Sequence, residues 1–293
     1  GTLKLTREYD YIIRCTGWKY VAPSMFQEEF APAVSENEKY PAMNSSWESE
    51  NTPDLYFIGA AMAGIDRQAA SSFIHGFRYN IRTLSNLLEE KYEKVPYPGS
   101  APKPFDLDQM LDWMYTRFST SAALFQLFGH LCDVLVISDD LQSATLYEEL
   151  PVQYAQENLC NGNQHVLIFT LEFGFNKFQE SSITFFAPSD PTNSSCAAFL
   201  HPVIRYHRCD DLQEFHFGDS LLARWDRPHG TGGAVMSNHH AFLTWLDARL
   251  DANLDLEEPT DAGAYHKWSE REKEMWERNN MTTASNPECV RPN

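Results

Sequence analysis

A chain of 293 residues with 43% apolar and 13% aromatic side chains can build one large or two medium domains and is too apolar to stay disordered. Its formal charge of −18, with no cluster of Lys and Arg, excludes a phosphate-seeking surface, so neither nucleic acid nor anionic membrane is an expected partner. No apolar run is long enough for a transmembrane helix.

The chain starts at Gly1 and runs directly into strand-like residues, as a fragment whose upstream part is missing would. Tyr9-Asp-Tyr-Ile-Ile-Arg-Cys15 predicts a short buried strand that ends in Thr16-Gly17-Trp18. Residues 19–53 are mixed and punctuated by Pro23, Pro32, Pro41 and Pro53. Leu55-Tyr-Phe-Ile58 predicts a second strand, ended by Gly59. Phe73, Phe77, Ile81, Leu84 and Leu88 fall at helical spacing and predict a helix over about 68–90. Residues 94–104 hold four prolines and a glycine, which cannot continue a helix, and are read as a linker.

Beyond the linker, Leu107, Met110, Leu111, Met114 and Phe118 line one expected helix. Leu124, Leu127, Phe128, Leu131 and Leu135 line the next. Strands are expected at 165–174, 182–187, 202–208 and 212–218. Ser237 is the expected N-cap of a helix carrying Phe242, Leu243, Leu246 and Leu250. The remainder is polar, with a short helix possible at 264–278.

The chemistry-bearing signal lies in the first hundred residues. Strand, Thr16-Gly17-Trp18, a long connection, strand, Gly59-Ala60-Ala61 and an amphipathic helix follow one another. Glycine lets backbone come close to a cofactor, and a helix N-terminus offers free N–H groups and partial positive charge to an electron-rich ring edge. Two strands and a helix of any α/β domain show the same pattern.

Three stretches narrow this: Tyr9 to Trp18, Leu55-Tyr-Phe-Ile-Gly59 and Phe73-Ile-His-Gly-Phe-Arg-Tyr79. With Leu124-Phe-Gln-Leu-Phe-Gly129, Cys132-Asp-Val-Leu135 and Phe199-Leu-His-Pro-Val-Ile204, they resemble the family of FAD-dependent oxidoreductase domain-containing protein 2, endoplasmic reticulum flavoproteins associated with degradation. More distantly the chain is similar to flavin-containing monooxygenases. The resemblance covers roughly residues 5–250. It implies a fold of class α/β: the C-terminal part of a two-dinucleotide-binding-domain flavoprotein at 1–93, the linker at 94–104, a smaller α+β domain at 105–256 and a polar tail at 257–293. It also implies FAD as cofactor, NADPH as reductant and residence in the endoplasmic reticulum lumen. The implied role is in endoplasmic reticulum-associated degradation of misfolded glycoproteins. Its implied partners are a lectin, a thiol-reducing chaperone and a membrane adaptor of that quality-control pathway. A monooxygenase-like enzyme and a non-catalytic adaptor are the competing readings.

The residues matched to cofactor binding are Thr16, Gly17, Gly59, Ala60, His75 and Arg78. The competing reading of His75 and Arg78 is a capped, hydrogen-bonded structural pair. Gly76 costs a helix about 1 kcal/mol against Ala, which close packing against a strand or cofactor would explain, with chance as the rival. Three features depart from the family pattern. The Gly-rich nucleotide loops are absent, so this fragment alone is expected to bind flavin poorly. Ala60 stands where many such flavoproteins carry aspartate, and Cys289-Val-Arg-Pro-Asn293 is no retention signal. His201, His207 and Cys209 mimic part of a metal set but lack a fourth ligand, so no metal is expected. The six cysteines form no C-x-x-C pair, and their disulfide state stays open. Three glycosylation sequons, at Asn44, Asn193 and Asn280, lean towards a secretory-pathway address.

Overall fold

The computed structural model describes residues 9–13, 15, 17, 19–35, 39–174, 199–209, 211–218, 224–225 and 234–252. It is mixed α/β and is built on one six-stranded antiparallel sheet of order β1-β3-β2-β4-β5-β6. The strands are β1 Lys103–Pro104, β2 Leu131–Ile137, β3 Ser143–Pro151, β4 His165–Phe173, β5 Leu200–Arg208 and β6 Asp211–His216. The helices are α1 Ile74–Leu88, α2 Leu107–Thr120, α3 Ala122–Gln126, α4 Val152–Leu159 and α5 Ala234–Leu250.

β2 is the keel of the sheet. It pairs with β3 on one side and β4 on the other, and every one of its residues is buried. Side chains alternate across a strand. Leu135 and Ile137 therefore join Leu167, Phe169, Met114, Phe118, Phe242 and Leu246 in the core under α2 and α5. Cys132, Val134 and Val136 join Val166, Ile168, Leu84, Leu87 and Ala155 in the core under α1 and α4. Helices thus cover both faces, and a strand clothed on both faces reads as a continuous apolar run.

The β2–β3 register slips between Cys132 and Val134, where Glu148 and Glu149 stand opposite Asp133 alone. Glu149 takes a left-handed backbone, with φ 64°. Such a bulge disrupts the ladder, and Asp133 repairs it by accepting from the Glu149 N–H at 2.9 Å. The Arg117 guanidinium of α2 grips the same carboxylate at 2.6 and 3.0 Å. Asp133 has no exposure at all. Burial raises its pKa to about 6, against the pull of Arg117.

Several elements differ from the sequence reading. Residues 9–15 form no strand in their described part; Tyr11 and Ile13 are 90% and 86% exposed, and no strand among the described residues pairs with them. The expected strand at 55–58 reduces to one bridge, Tyr56 to Glu48. The expected helix over 124–135 is two elements. α3 stops at Gln126, Gly129 turns the chain with φ 68°, and β2 begins at Leu131. β3 and α4 were not foreseen. Ser237 lies inside α5, which starts at Ala234, rather than capping it. The expectations at 182–187 and 264–278 fall outside the described residues.

The Pro-rich segment runs against β3. Tyr97 is buried and donates its hydroxyl to the Glu148 carbonyl at 2.9 Å. Gly99, with φ 86°, passes so close that a Cβ there would lie 2.8 Å from the Leu146 carbonyl oxygen. Met43, Trp47 and Met62 share their core with β2 and β4, so the part before the linker and the sheet are packed as neighbours.

Candidate functional site

α1 is aimed by the turns that precede it. Residues Gly59–Gly64 and Ala70–Ser72 form two 3-10 turns that pack on each other and on α1. Between them Asp66 folds back on the chain, accepting from the Gln68 and Ala69 N–H groups at 3.1 and 3.0 Å. Its other oxygen accepts from the Ser71 hydroxyl. Ser71 in turn accepts from the Asn80 amide of α1 at 3.0 Å. All three side chains are buried, and the linked bonds hold the turn to the helix, although the Asn80 side-chain oxygen has no partner among the described residues.

Gly76 completes the junction. A Cβ at this position would stand 2.0 Å from the Ala70 carbonyl oxygen. The close packing expected against a strand or a cofactor is instead against the chain's own 3-10 turn, within the first turn of α1. The glycine lets the turn lie directly on the helix.

The N-terminus of α1 is left open. Phe73 occupies the cap position with extended backbone, no side chain caps the helix, and its first turn holds no acid. The Gly76 and Phe77 N–H groups donate to the Phe73 carbonyl at 2.9 Å, which leaves those of Ile74 and His75, at the positive end of the helix dipole, without a partner among the described residues. Around this end the surface is apolar: Phe73 and Ile74 are 60% and 71% exposed, and Ile58 is exposed beside Gly59. Gly59 has φ 72°, and nothing lies within 4 Å of where its Cβ would point. Beyond Phe73 an apolar cleft of about 270 Å³ runs between His75, Phe125, Phe128 and Phe173.

The sequence-matched residues are only partly gathered by this geometry. Gly59 and Ala60 open the 3-10 turn that packs on α1, and His75 lies in the first turn of α1, its ring stacked on Phe73 at 5.5 Å. Arg78 lies one turn further, where its guanidinium donates to the Tyr79 hydroxyl at 2.7 Å and covers that ring. Gly17 is exposed, with φ 78°, and stands beside the Lys39 ammonium. Tyr40, the next residue, touches the end of the Gly59–Gly64 turn at Gly64. Thr16 lies outside the described residues.

A second cluster was not read from the sequence. Arg205 on β5 receives Glu172 from β4 through both terminal nitrogens and Glu214 from β6 at 2.9 Å. Burial pushes the Glu172 carboxyl up, but Arg205 and the Thr170 hydroxyl outweigh it and hold the pKa below its usual value. The three groups sit on neighbouring strands of one face, a relation that only the register Arg205 to Glu214 and Arg205 to Ile168 reveals. His201 is engaged by His216 at 2.9 Å and by the Phe199 carbonyl, and Cys209 breaks the strand alternation with φ 52°. Among the described residues no group of three His, Cys, Asp or Glu is placed to hold a metal ion. Cys15, Cys132, Cys160 and Cys209 are free thiols, and burial raises the pKa of Cys132 and brings Cys160 up to about 11. No described helix is long and apolar enough to cross a membrane.

Comparison with known proteins bears out the resemblance carried by the motifs. The chain is 30% identical over 259 residues to the Mus musculus protein named FAD-dependent oxidoreductase domain-containing protein 2, a match over 85% of this chain and 38% of the mouse protein. It is 26% identical over 249 residues to the Danio rerio protein of the same name, over 76% of this chain and 35% of that protein. The chain thus spans little more than a third of the length of these relatives. No family profile and no solved structure matches it.

Proposed function

We propose that this chain is the C-terminal part of a FAD-dependent oxidoreductase that uses NADPH, works in the endoplasmic reticulum lumen and serves the disposal of misfolded glycoproteins. The observation that carries the flavin assignment is the uncapped N-terminus of α1, ringed by exposed apolar residues and faced by the open Gly59 turn. These features fit the pyrimidine edge of a flavin, which needs N–H donors, positive potential and flat apolar cover. The names of the mouse and zebrafish relatives support the same cofactor.

In this reading residues 1–93 complete a dinucleotide-binding domain, and residues 105–256 form a further α+β domain. The backbone of Gly59 and Ala60 would hold the ring by close approach, since Ala60 offers no side-chain acceptor to a ribityl hydroxyl. The first N–H groups of α1 would stabilise negative charge on the ring edge. His75, exposed and stacked on Phe73, would exchange a hydrogen bond at that edge. Bound FAD would supply hydride acceptance from NADPH and electron delivery to a substrate. The proposed partners are a lectin, a thiol-reducing chaperone and a membrane adaptor of the lumen, together with misfolded glycoproteins.

The test of the flavin assignment is a chimera in which this chain replaces the matched segment of the mouse relative. It is expected to purify with the yellow absorbance of bound flavin. A folded but colourless chimera would contradict the assignment. The luminal address has a separate test. Asn44 is exposed, and its side-chain oxygen accepts from the Ser46 hydroxyl at 2.9 Å, while its amide nitrogen has no hydrogen-bond partner among the described residues. The natural protein is expected to shift in mobility on endoglycosidase treatment, and the Asn44→Gln variant to shift less. A natural protein that carries no glycan removes this support for the luminal address.

A further inference from the structure

The Glu172–Arg205–Glu214 cluster runs on into a pair of histidines. Glu214 turns one carboxylate oxygen to Arg205 at 2.9 Å and the other to Nε2 of His216. Nδ1 of His216 lies 2.9 Å from Nε2 of His201, and Nδ1 of His201 lies 2.8 Å from the Phe199 carbonyl oxygen. His201 is buried, and the His216 side chain is only 11% exposed, so water cannot stand in for these contacts. His201 lies at the start of β5 and His216 closes β6. The hydrogen-bonded chain therefore spans the open end of the hairpin that these two strands form.

The contacts fix the number of protons. A carbonyl oxygen only accepts, so Nδ1 of His201 carries a proton. One proton must lie between the two facing ring nitrogens, and one between His216 and Glu214. Three contacts need three protons, whereas two neutral imidazoles beside a carboxylate bring only two. Without the third, one buried contact sets two lone pairs against each other. The surroundings hold the extra charge. Among the described residues, β4 brings Glu172, in register with His201, β5 brings Arg205 and His207 on the same face, and β6 brings Glu214. The turn before α1 and α4 add only uncharged Gln68 and Gln156, over Glu172 and Arg205. Burial and Arg205 lower the pKa of His207, so it stays neutral. Arg205 keeps Glu214 ionised, which leaves the third proton on the rings. Glu172 and Glu214 are then balanced by Arg205 and one shared imidazolium.

We infer that His201 and His216 form a proton-dependent latch on the open end of the β5–β6 hairpin: together they keep three ring protons and one positive charge at neutral pH, and loss of the third proton releases the latch. Its neighbours give the release a reach. Leu200, beside His201, lines the apolar cleft at α1, and Phe217, beside His216, packs in the core with Phe242 of α5. The latch stabilises the fold fully below about pH 6.5, where an imidazole of the unfolded chain is also protonated, and this contribution is lost as rising pH removes the third proton. The assignment uses only residues of this chain and stands whether or not flavin binds at α1.

The test is nuclear magnetic resonance of the full 293-residue chain with nitrogen-15 in its histidine rings. His201 and His216 are identified by the signals missing from the His201→Gln and His216→Gln variants. At pH 7.5 the pair is expected to show three protons on its four ring nitrogens, and to lose one of them in a single step at higher pH. Two protons at pH 7.5, one on each ring, would overturn the inference. Glu214→Gln gives a second reading. A primary amide can offer its oxygen to Arg205 and an N–H to His216, so it supplies the third proton itself and makes every contact with neutral rings. The melting temperature of the unaltered chain is expected to fall by about 2–4 °C relative to this variant between pH 6 and pH 9, the loss of one hydrogen bond. A difference between the two that stays constant with pH would overturn the inference as well.

Discussion

Two apolar stretches of this chain look alike and end differently. Tyr9-Asp-Tyr-Ile-Ile-Arg-Cys15 and Leu131-Cys-Asp-Val-Leu-Val-Ile137 are both short, rich in branched residues and interrupted by one aspartate. The second is wholly buried, with a strand on each side and helices over both faces. The first presents Tyr11, Ile12 and Ile13 to solvent. Even the aspartates differ: Asp133 repairs a bulge and holds Arg117, whereas Asp10 is exposed. Apolar content therefore sets only the capacity for a strand, and backbone partners decide whether that capacity is realised.

This contrast can be broken most forcefully at Arg117. Arg117→Ala strands a carboxylate with no exposure, and its expected cost is about 3–5 kcal/mol at neutral pH by denaturant unfolding. The loss should shrink in acid. Asp133 has its folded pKa raised to about 6 from 3.8, so its protonated form is the one favoured by folding. Its contribution is fully present below about 4 and is lost as pH rises through about 6. A loss in Arg117→Ala that is the same at pH 4 and pH 7 would show that Asp133 is not the group left behind.

Gly76→Ala probes the junction that positions α1, where backbone contact again decides the outcome. An added methyl must displace the Ala70 backbone, and the expected destabilisation is about 1–3 kcal/mol, opposite in sign to the usual gain from replacing a helical glycine. A stabilised variant would mean that the turn does not lie on the helix. The smallest effect is expected at Ile13. Ile13→Ala should cost less than about 0.5 kcal/mol, against about 2–5 kcal/mol for Leu131→Ala in the same chain. Comparable losses at the two sites would mean that residues 9–13 are packed after all.

Periodicity made α1, α2, β4 and β5 legible, because each shows an apolar pattern of its own period over many residues. It failed at 124–135, where Leu124, Leu127, Phe128, Leu131 and Leu135 satisfy a helical spacing across what is a helix, a glycine turn and a strand. The stop signal was present in Gly129, a left-handed residue just past the helix end. β2 then hides because both its faces are buried and its alternation is lost. The candidate site was half legible. Glycines and a helix start can be matched by motif, and they marked Gly59, Ala60 and His75. The Glu172–Arg205–Glu214 cluster depends on the register of three strands, which no local pattern encodes.

The most direct test of the flavin site is Phe73→Asp in the chimera with the mouse relative. Phe73 already has the extended backbone of a cap residue, so aspartate there can accept from the free N–H groups of α1. The substitution is expected to raise helix and protein stability by about 1 kcal/mol while placing negative charge where the flavin edge would lie. The account predicts a chimera of equal or higher melting temperature with markedly less bound flavin. Full flavin occupancy in a chimera so stabilised would contradict the assignment of the cofactor to this helix end.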